Sequence, residues 1–359
     1  MTQHVPSWHG VPEVIASGSP WEIGFAHGSQ IPQRIAQCIK NYEKLFLETA
    51  EADWTESKAR ASKYLPALEH NEPDLVEEMR GIACGANVEF LDILALNLRS
   101  EISLTNYSDG CTSIVMTNAG TAEVYLAQNW DWVGEASSST AFFDIRKSGT
   151  PRIRMMGEAG IVAKFGFNDA GVGVCMNAIR SGTVSISQLP VHLAMRRVLE
   201  CRSFDEALGM LTRKGLASCV NLMIADKSGK IATVECTPRG LAPIFPDLGT
   251  STTYHTNHLW SLNIPEGVRD HPSKNSFSRL ERINALSRGQ TGSIEKIRGW
   301  LSDEEGSPVS ICRSTPPGTR GIERMETLAT IIMDIGNLKG EFSFGRPCLS
   351  PPVRTITIQ

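Results

Sequence analysis

The apolar pattern of this chain changes character once, near Asp109-Gly110-Cys111, and that break limits what it can build. Before it the spacing is helical. Ser19-Pro20-Trp21-Glu22 supplies a capping serine, a proline at the first helical position and a glutamate three residues after the cap. Ile31, Ile35, Cys38, Ile39, Tyr42, Leu45 and Phe46 then recur at intervals of mostly three and four, which marks one buried helical face. Similar spacing predicts helices over residues 56–68, 73–84 and 91–102, with Gly85 closing the middle one.

After the break the segments are short and β-branched. Strands are predicted over 112–116, 124–129, 142–146, 153–156 and 163–167, the last turning through Asn168-Asp169-Ala170-Gly171 into 172–178. Helices over 190–200 and 204–214 follow. A hairpin of 221–225 and 231–235 turns through Asp226-Lys227-Ser228-Gly229, and a strand covers 252–257. Helices over 276–287 and 293–301 precede strands near 328–335, 341–344 and 354–358. Runs of strands between paired helices predict a layered α/β arrangement with a largely antiparallel sheet.

Composition narrows the function classes. With 359 residues, 41% hydrophobic and 21% charged, the chain has enough apolar surface for a large core without staples. Lys plus Arg number 35 against 39 Asp plus Glu, and no basic block is present, which argues against nucleic acid or an anionic membrane as partner. The first ten residues lack the basic start and apolar run of a signal peptide, and the most apolar stretch, 328–333, is too short to span a bilayer. Asn106-Tyr107-Ser108 matches a glycosylation acceptor only by pattern. The nine cysteines are odd in number and contain no C-x-x-C pair, so neither structural zinc nor a disulfide framework is expected.

Cys111 is the cysteine to single out. A free cysteine is usually a small buried hydrophobe, but this one follows Gly110 at the start of a strand. Glycine leaves the carbonyl before the thiol open to attack. Cleavage of the Gly110–Cys111 bond would give Cys111 a free α-amine with a pKa of about 8. That amine can serve as general base for its own thiol.

Several motifs accompany it in order. They are Asp109-Gly110-Cys111-Thr112, Gln128-Asn129-Trp130-Asp131, Glu158-Ala159-Gly160-Ile161 and Gly166-Phe167-Asn168-x-Ala170-Gly171-Val172. His255-Thr256-Asn257-His258, Ser310-Ile311-Cys312-Arg313 and an N-terminal Gly18-x-Pro20-x-Glu22-Ile23-Gly24-x-x-His27-Gly28 complete the set. Together they resemble the isopenicillin N acyltransferase family of N-terminal-nucleophile hydrolases. The resemblance implies an α+β fold, a four-layer αββα sandwich with a helical N-terminal segment. It further implies autocatalytic cleavage into an α chain, 1–110, and a β chain, 111–359, that stay together. In such an enzyme Cys111 is the acyl-accepting nucleophile, Asn257 the oxyanion donor and Asn177 a polar active-site residue. Asp131 and Arg313 hold an amino-carboxylate acceptor by its ammonium and carboxylate.

The implied reaction exchanges the isopenicillin N side chain, through 6-aminopenicillanic acid, for a CoA-activated aryl-acetyl group. No cofactor is implied. Two rival readings remain, an amidohydrolase of N-acyl or β-alanyl amines and a non-catalytic, unprocessed paralogue with a binding role. The chain ends Thr357-Ile358-Gln359, unlike the peroxisomal Ser-Lys-Leu signal, so the expected location is cytoplasmic. His255 and His258, read as three apart on one strand, should face opposite sides and not share a metal. Trp130 and Trp132 should share one face and pack the core.

Overall fold

The computed structural model describes residues 5–103, 110–247 and 251–358; Asp109 and the Asn106-Tyr107-Ser108 triplet lie outside them. Two short strands open the chain, β1 (Ser7–Trp8) and β2 (Val11–Gly18). Seven helices follow: α1 (Pro20–Gln30), α2 (Pro32–Ala50), α3 (Trp54–Ser62), α4 (Leu65–Asn71), α5 (Pro73–Ala86), α6 (Phe90–Asn97) and α7 (Arg99–Ser103). The capping box predicted at Ser19 and Glu22 is present.

Three helical expectations are corrected. The helix expected over 56–68 is two, α3 and α4, because Pro66 cannot donate within a continuous helix and its ring opposes the carbonyl four residues back. The 91–102 segment is likewise divided at Leu98. Gly85 does not close α5, which runs on to Ala86 and is capped by Asn87 at φ 55°. Gly85 is instead a packing residue. Gly24 and Gly28 of α1 face Gly81 and Gly85 of α5, and a β-carbon at Gly24 would stand 1.9 Å from the Glu78 carbonyl oxygen. The two helices approach too closely for any larger side chain.

Past residue 110 come β3 (Thr112–Thr117), β4 (Val124–Val133), β5 (Thr140–Lys147), β6 (Ile153–Glu158), β7 (Phe165–Asn168) and β8 (Val172–Ala178). Then follow α8 (Val191–Glu200), α9 (Phe204–Lys214), β9 (Val220–Asp226), β10 (Ile231–Thr237), β11 (Gly240–Ile244) and β12 (Thr252–His255). The chain finishes with α10 (Lys274–Ser287), α11 (Ile294–Leu301), β13 (Met325–Asp334), β14 (Lys339–Phe344) and β15 (Val353–Thr357).

The strands form two sheets, ordered β1-β2-β5-β6-β7-β8-β9-β10-β11 and β12-β3-β4-β13-β14-β15. Pairing is antiparallel except between β2 and β5. The sequence pattern missed β2, in which Pro12 interrupts the alternation. The sheets stack face to face, β3 and β4 against β8 and β9; α8 and α9 cover one outer side, α10 and α11 the other. This is the αββα sandwich expected from the sequence. Gln128 joins the sheets by bonding both the amide and the carbonyl of Met176, at 3.0 and 2.7 Å. A separate apolar cluster of Ile114, Met116, Tyr125 and Ala127 with Ile283, Ile297 and Trp300 fixes α10 and α11 to the second sheet. Trp130 and Trp132 are fully buried, as expected.

Candidate active site

Gly110 and Cys111 enter the buried end of β3 and are themselves buried. Antiparallel pairing of β3 with β4 sets Thr112 opposite Asn129, which brings Asp131, two residues further along β4, beside Gly110. A β-carbon added at Gly110 would lie 2.8 Å from Arg313 Nη1 and 3.2 Å from Asp131 Oδ2. Gly110 therefore fills the space between an acid and a base that are far from it in sequence. Thr327 holds both in place. Its hydroxyl donates to Asp131 Oδ1 at 2.7 Å and accepts from the Arg313 amide at 2.9 Å.

Arg279, on α10, completes the other side. Nη1 donates to the Cys111 carbonyl at 2.6 Å and to Thr112 Oγ1 at 3.0 Å, while Nη2 donates to Asn257 Oδ1 at 2.9 Å. Burial lowers its pKa to about 10, opposed by Asp131 and Cys111 and assisted by the like charge of Arg313, so it stays cationic near neutrality. Sequence reasoning missed this residue. The signal was there: the helical stripe Ser276, Arg279, Ile283 puts an arginine in line with core positions.

Asn257 lies beyond the end of β12, not within a strand as expected. Its backbone amide donates to Ser276 Oγ at 2.8 Å and its Nδ2 donates to the Ala178 carbonyl at 3.0 Å. Because the chain leaves the strand after His255, His255 and His258 do not face opposite sides; their rings stack with centroids 6.4 Å apart. His255 Nε2 lies 2.9 Å from Glu235 Oε1 and Nδ1 lies 2.7 Å from the Thr256 carbonyl. Glu235, also missed, accepts from the amides of Trp260 and Ser261. It thereby clamps the turn that carries Asn257. Burial first, then His255, lowers the His258 pKa to about 4.

Asn177 is close by but committed to the sheet interface. Its Oδ1 accepts from Ser113 Oγ at 2.5 Å and from Asn221 Nδ2 at 3.0 Å. Cys175, its neighbour but one, has its thiol pushed up by burial and then by the nearby Cys111. Among the described residues no cluster of three or more His, Cys, Asp or Glu could hold a metal ion, and no helix is long and apolar enough to cross a membrane. The structure thus brings Gly110, Cys111, Asp131, Asn257 and Arg313 together around one peptide bond.

Residues 116–348 match the family described as acyl-coenzyme A:6-aminopenicillanic acid acyl-transferase. The chain belongs to this family. The match begins within β3, past Cys111. One curated relative, the 40 kDa form of acyl-coenzyme A:6-aminopenicillanic-acid-acyltransferase from Emericella nidulans, is 31% identical over 336 residues, 93% of this chain and 92% of that one. Among solved structures, a mutant conjugated bile acid hydrolase from Clostridium perfringens aligns with a TM-score of 0.49 at 14% identity, over 69% of this chain and 92% of that one. The N-acylethanolamine-hydrolyzing acid amidase orthologue of Caenorhabditis elegans aligns with a TM-score of 0.45 at 19% identity, over 63% and 93%. As a member of the acyltransferase family, this chain belongs to the acyl-transferring class of enzymes.

The family motifs divide into site and scaffold. Asn129 Nδ2 donates to the carbonyls of Leu301 and Ile311 and ties the end of α11 to the segment before Arg313, and Asn168 Nδ2 donates to those of Leu199 and Cys201 at the end of α8. Glu158 is held by Lys164 and Tyr42 at 2.5 and 2.7 Å, and against burial the charges of Lys164 and then Arg99 keep its carboxyl down at about 2. His27 accepts from the Gly160 amide at 3.0 Å and joins the N-terminal helices to the sandwich.

Proposed function

We propose that this chain is made as a precursor, cleaves its own Gly110–Cys111 bond, and works as an N-terminal cysteine acyltransferase. The observation that carries the reading is the convergence on that bond: Asp131 and Arg313 against Gly110, Arg279 on the Cys111 carbonyl and on Asn257. In maturation, Cys111 Sγ attacks the Gly110 carbonyl, the peptide nitrogen leaves protonated, and water hydrolyses the resulting thioester. The products are chains 1–110 and 111–359. Buried bonds between the two parts support their staying together, among them Arg196 to Glu78 and Asn97 to the Gly160 carbonyl.

In turnover the freed α-amine takes the thiol proton as sulfur attacks an acyl carbonyl. The oxyanion forms toward Asn257 Nδ2, whose second N–H is available once the first serves Ala178. The leaving group takes the proton, and an amine or water then receives the acyl group. Asn177, engaged by Ser113, acts by positioning β3 and not by touching the carbonyl. With Gly110 gone, the space between Asp131 and Arg313 suits an amino-carboxylate such as 6-aminopenicillanic acid, and the donor is an acyl-CoA thioester. Water as acceptor would make the same site an amidohydrolase of N-acyl amines.

Intact mass and N-terminal sequencing test the reading. A chain beginning at Cys111, absent in Cys111→Ala, is expected, and a thioester donor should acylate Cys111 alone. A mature protein that keeps only its original N-terminus would sink it and favour a non-catalytic role.

A further inference from the structure

Two thiols outside the site described above lie in direct contact. Cys312 Sγ and Cys348 Sγ are 2.8 Å apart, joining the segment before Arg313 to the tight turn Pro347–Leu349. Cys312 is buried and Cys348 half-buried, so solvent reaches the pair from one side. Cys84 is exposed, and the other six are buried.

The surroundings favour sulfur chemistry. The Arg346 guanidinium interacts with both sulfurs, and the Cys348 backbone amide donates to Cys312 Sγ. A cation and an amide donor beside sulfur favour the thiolate, the form that reacts with oxidants. At Cys312 burial first, and then the Cys348 sulfur, outweigh them and push the thiol up to about 12; Cys348, half-buried, is the sulfur that an oxidant in solvent reaches.

We propose that Cys312 and Cys348 form an oxidisable dithiol site that takes hydrogen peroxide as its reactant and closes into a reversible disulfide. Cys348 sulfur attacks the O–O bond, an S–O bond forms, and water leaves. Cys312 sulfur then displaces hydroxide from the sulfenic acid, giving the S–S bond and a second water. Two thiols lose two electrons and two protons, and one peroxide is reduced to two waters. A thiol reductant returns the pair to the starting state. The bond staples the segment bearing Arg313 to the turn after β14 and closes a loop that contains β13 and β14. By restricting the unfolded chain, that closure raises stability.

The test uses the full-length protein, treated with limiting hydrogen peroxide, quenched with an alkylating agent and digested without reduction. The Cys312–Cys348 linked peptide is expected as the first disulfide, lighter by two hydrogens, with a higher thermal midpoint, and dithiothreitol should reverse both changes. Cys348→Ser, at a half-buried position, should show neither. Both thiols alkylated after oxidation, an earlier disulfide elsewhere, over-oxidation of Cys348 without a link, or a link that leaves the midpoint unchanged would each overturn the proposal. The readout does not depend on cleavage at Cys111 or on turnover.

Discussion

Arg279 Nη2 donates to Asn257 Oδ1 at 2.9 Å, and that bond fixes which way the Asn257 amide faces. A guanidinium only donates, so the atom turned toward it must be the oxygen. Nδ2 is then held on the opposite side, where one N–H meets the Ala178 carbonyl. The same guanidinium holds the Cys111 carbonyl, so Cys111 and the Asn257 amide are referenced to one rigid group.

Replacing Arg279 should therefore misorient Asn257 as well as weaken β3. Arg279→Lys keeps the charge but cannot bond both partners in a planar fork. We expect kcat on a simple thioester to fall about 10-fold in Arg279→Lys, and about 100-fold or more in Arg279→Met, within the range seen when an oxyanion donor is lost. Rates are to be measured on cleaved protein with melting curves in parallel. Equal kcat in Arg279→Met and wild type would remove Arg279 from this role.

Gly110→Ala probes the space between Asp131 and Arg313. The new methyl would press on Arg313 Nη1, the mobile end of a long side chain, and on the less mobile Asp131. The arginine can yield, so folding should survive while the scissile carbonyl shifts from the thiol. Cleavage, followed on a denaturing gel over time, should slow by roughly 10-fold, as expected when a reacting group is displaced by a fraction of an ångström. Cleavage at the wild-type rate would mean that the fit around Gly110 is immaterial.

Much of this arrangement was legible in the sequence because the motif residues do converge. Gly110, Asp131, Asn257 and Arg313 are dispersed over some two hundred positions, yet they meet around one bond. The break at residue 110 also marked the passage from helices to sheets. What escaped were residues whose meaning lies in a distant partner. Arg279 reads as a surface charge until its stripe is found to face Cys111, and Glu235 reads as an ordinary strand residue until His255 is opposite it. Gly85 looked like a stop signal because local rules cannot see α1 pressing against α5. His27 and Asn168 were legible as motif residues, but only their bonds reveal them as scaffold.

Acid should lower the stability of the whole fold through its buried histidines at a pH above the ordinary carboxylate range. His27 is lowered from 6.5 to about 3, by burial first and then by the charge of Arg196, and its Nε2 must stay unprotonated to accept from Gly160. His192 is also held well down by burial, and His258 to about 4. Folding disfavours protonation at each, so the unfolded chain binds more protons below pH 6.5. The stability these groups supply is complete above that value and is lost as pH falls toward their folded values. Denaturant unfolding between about pH 7 and pH 5 should show stability declining with acid, each histidine contributing about 1.4 kcal/mol per pH unit at most. His27→Gln, which can still accept from Gly160, should give a shallower slope; an unchanged slope would discount His27.

The acceptor reading is tested at Arg313. Its backbone is locked by reciprocal bonds with Thr327, amide to hydroxyl at 2.9 Å and carbonyl to amide at 3.2 Å, while its side chain is half-buried against Gly110. Removing the side chain should therefore leave its segment in place beside β13. Guanidinium matches a carboxylate with two parallel bonds, and loss of one member of a charge pair in a partly dry site costs a few kcal/mol. Arg313→Ala should weaken transfer to an amino-carboxylate acceptor by about 100-fold or more, while hydrolysis of a simple thioester, which in the proposed mechanism calls on Cys111 and Asn257 and not on Arg313, falls far less. Arg313→Lys, retaining the charge without the fork, should recover part of the transfer. Both reactions are to be measured on fully cleaved protein. If transfer and hydrolysis fall together, Arg313 supports the fold or the nucleophile, and the space left by Gly110 is not the acceptor's carboxylate site.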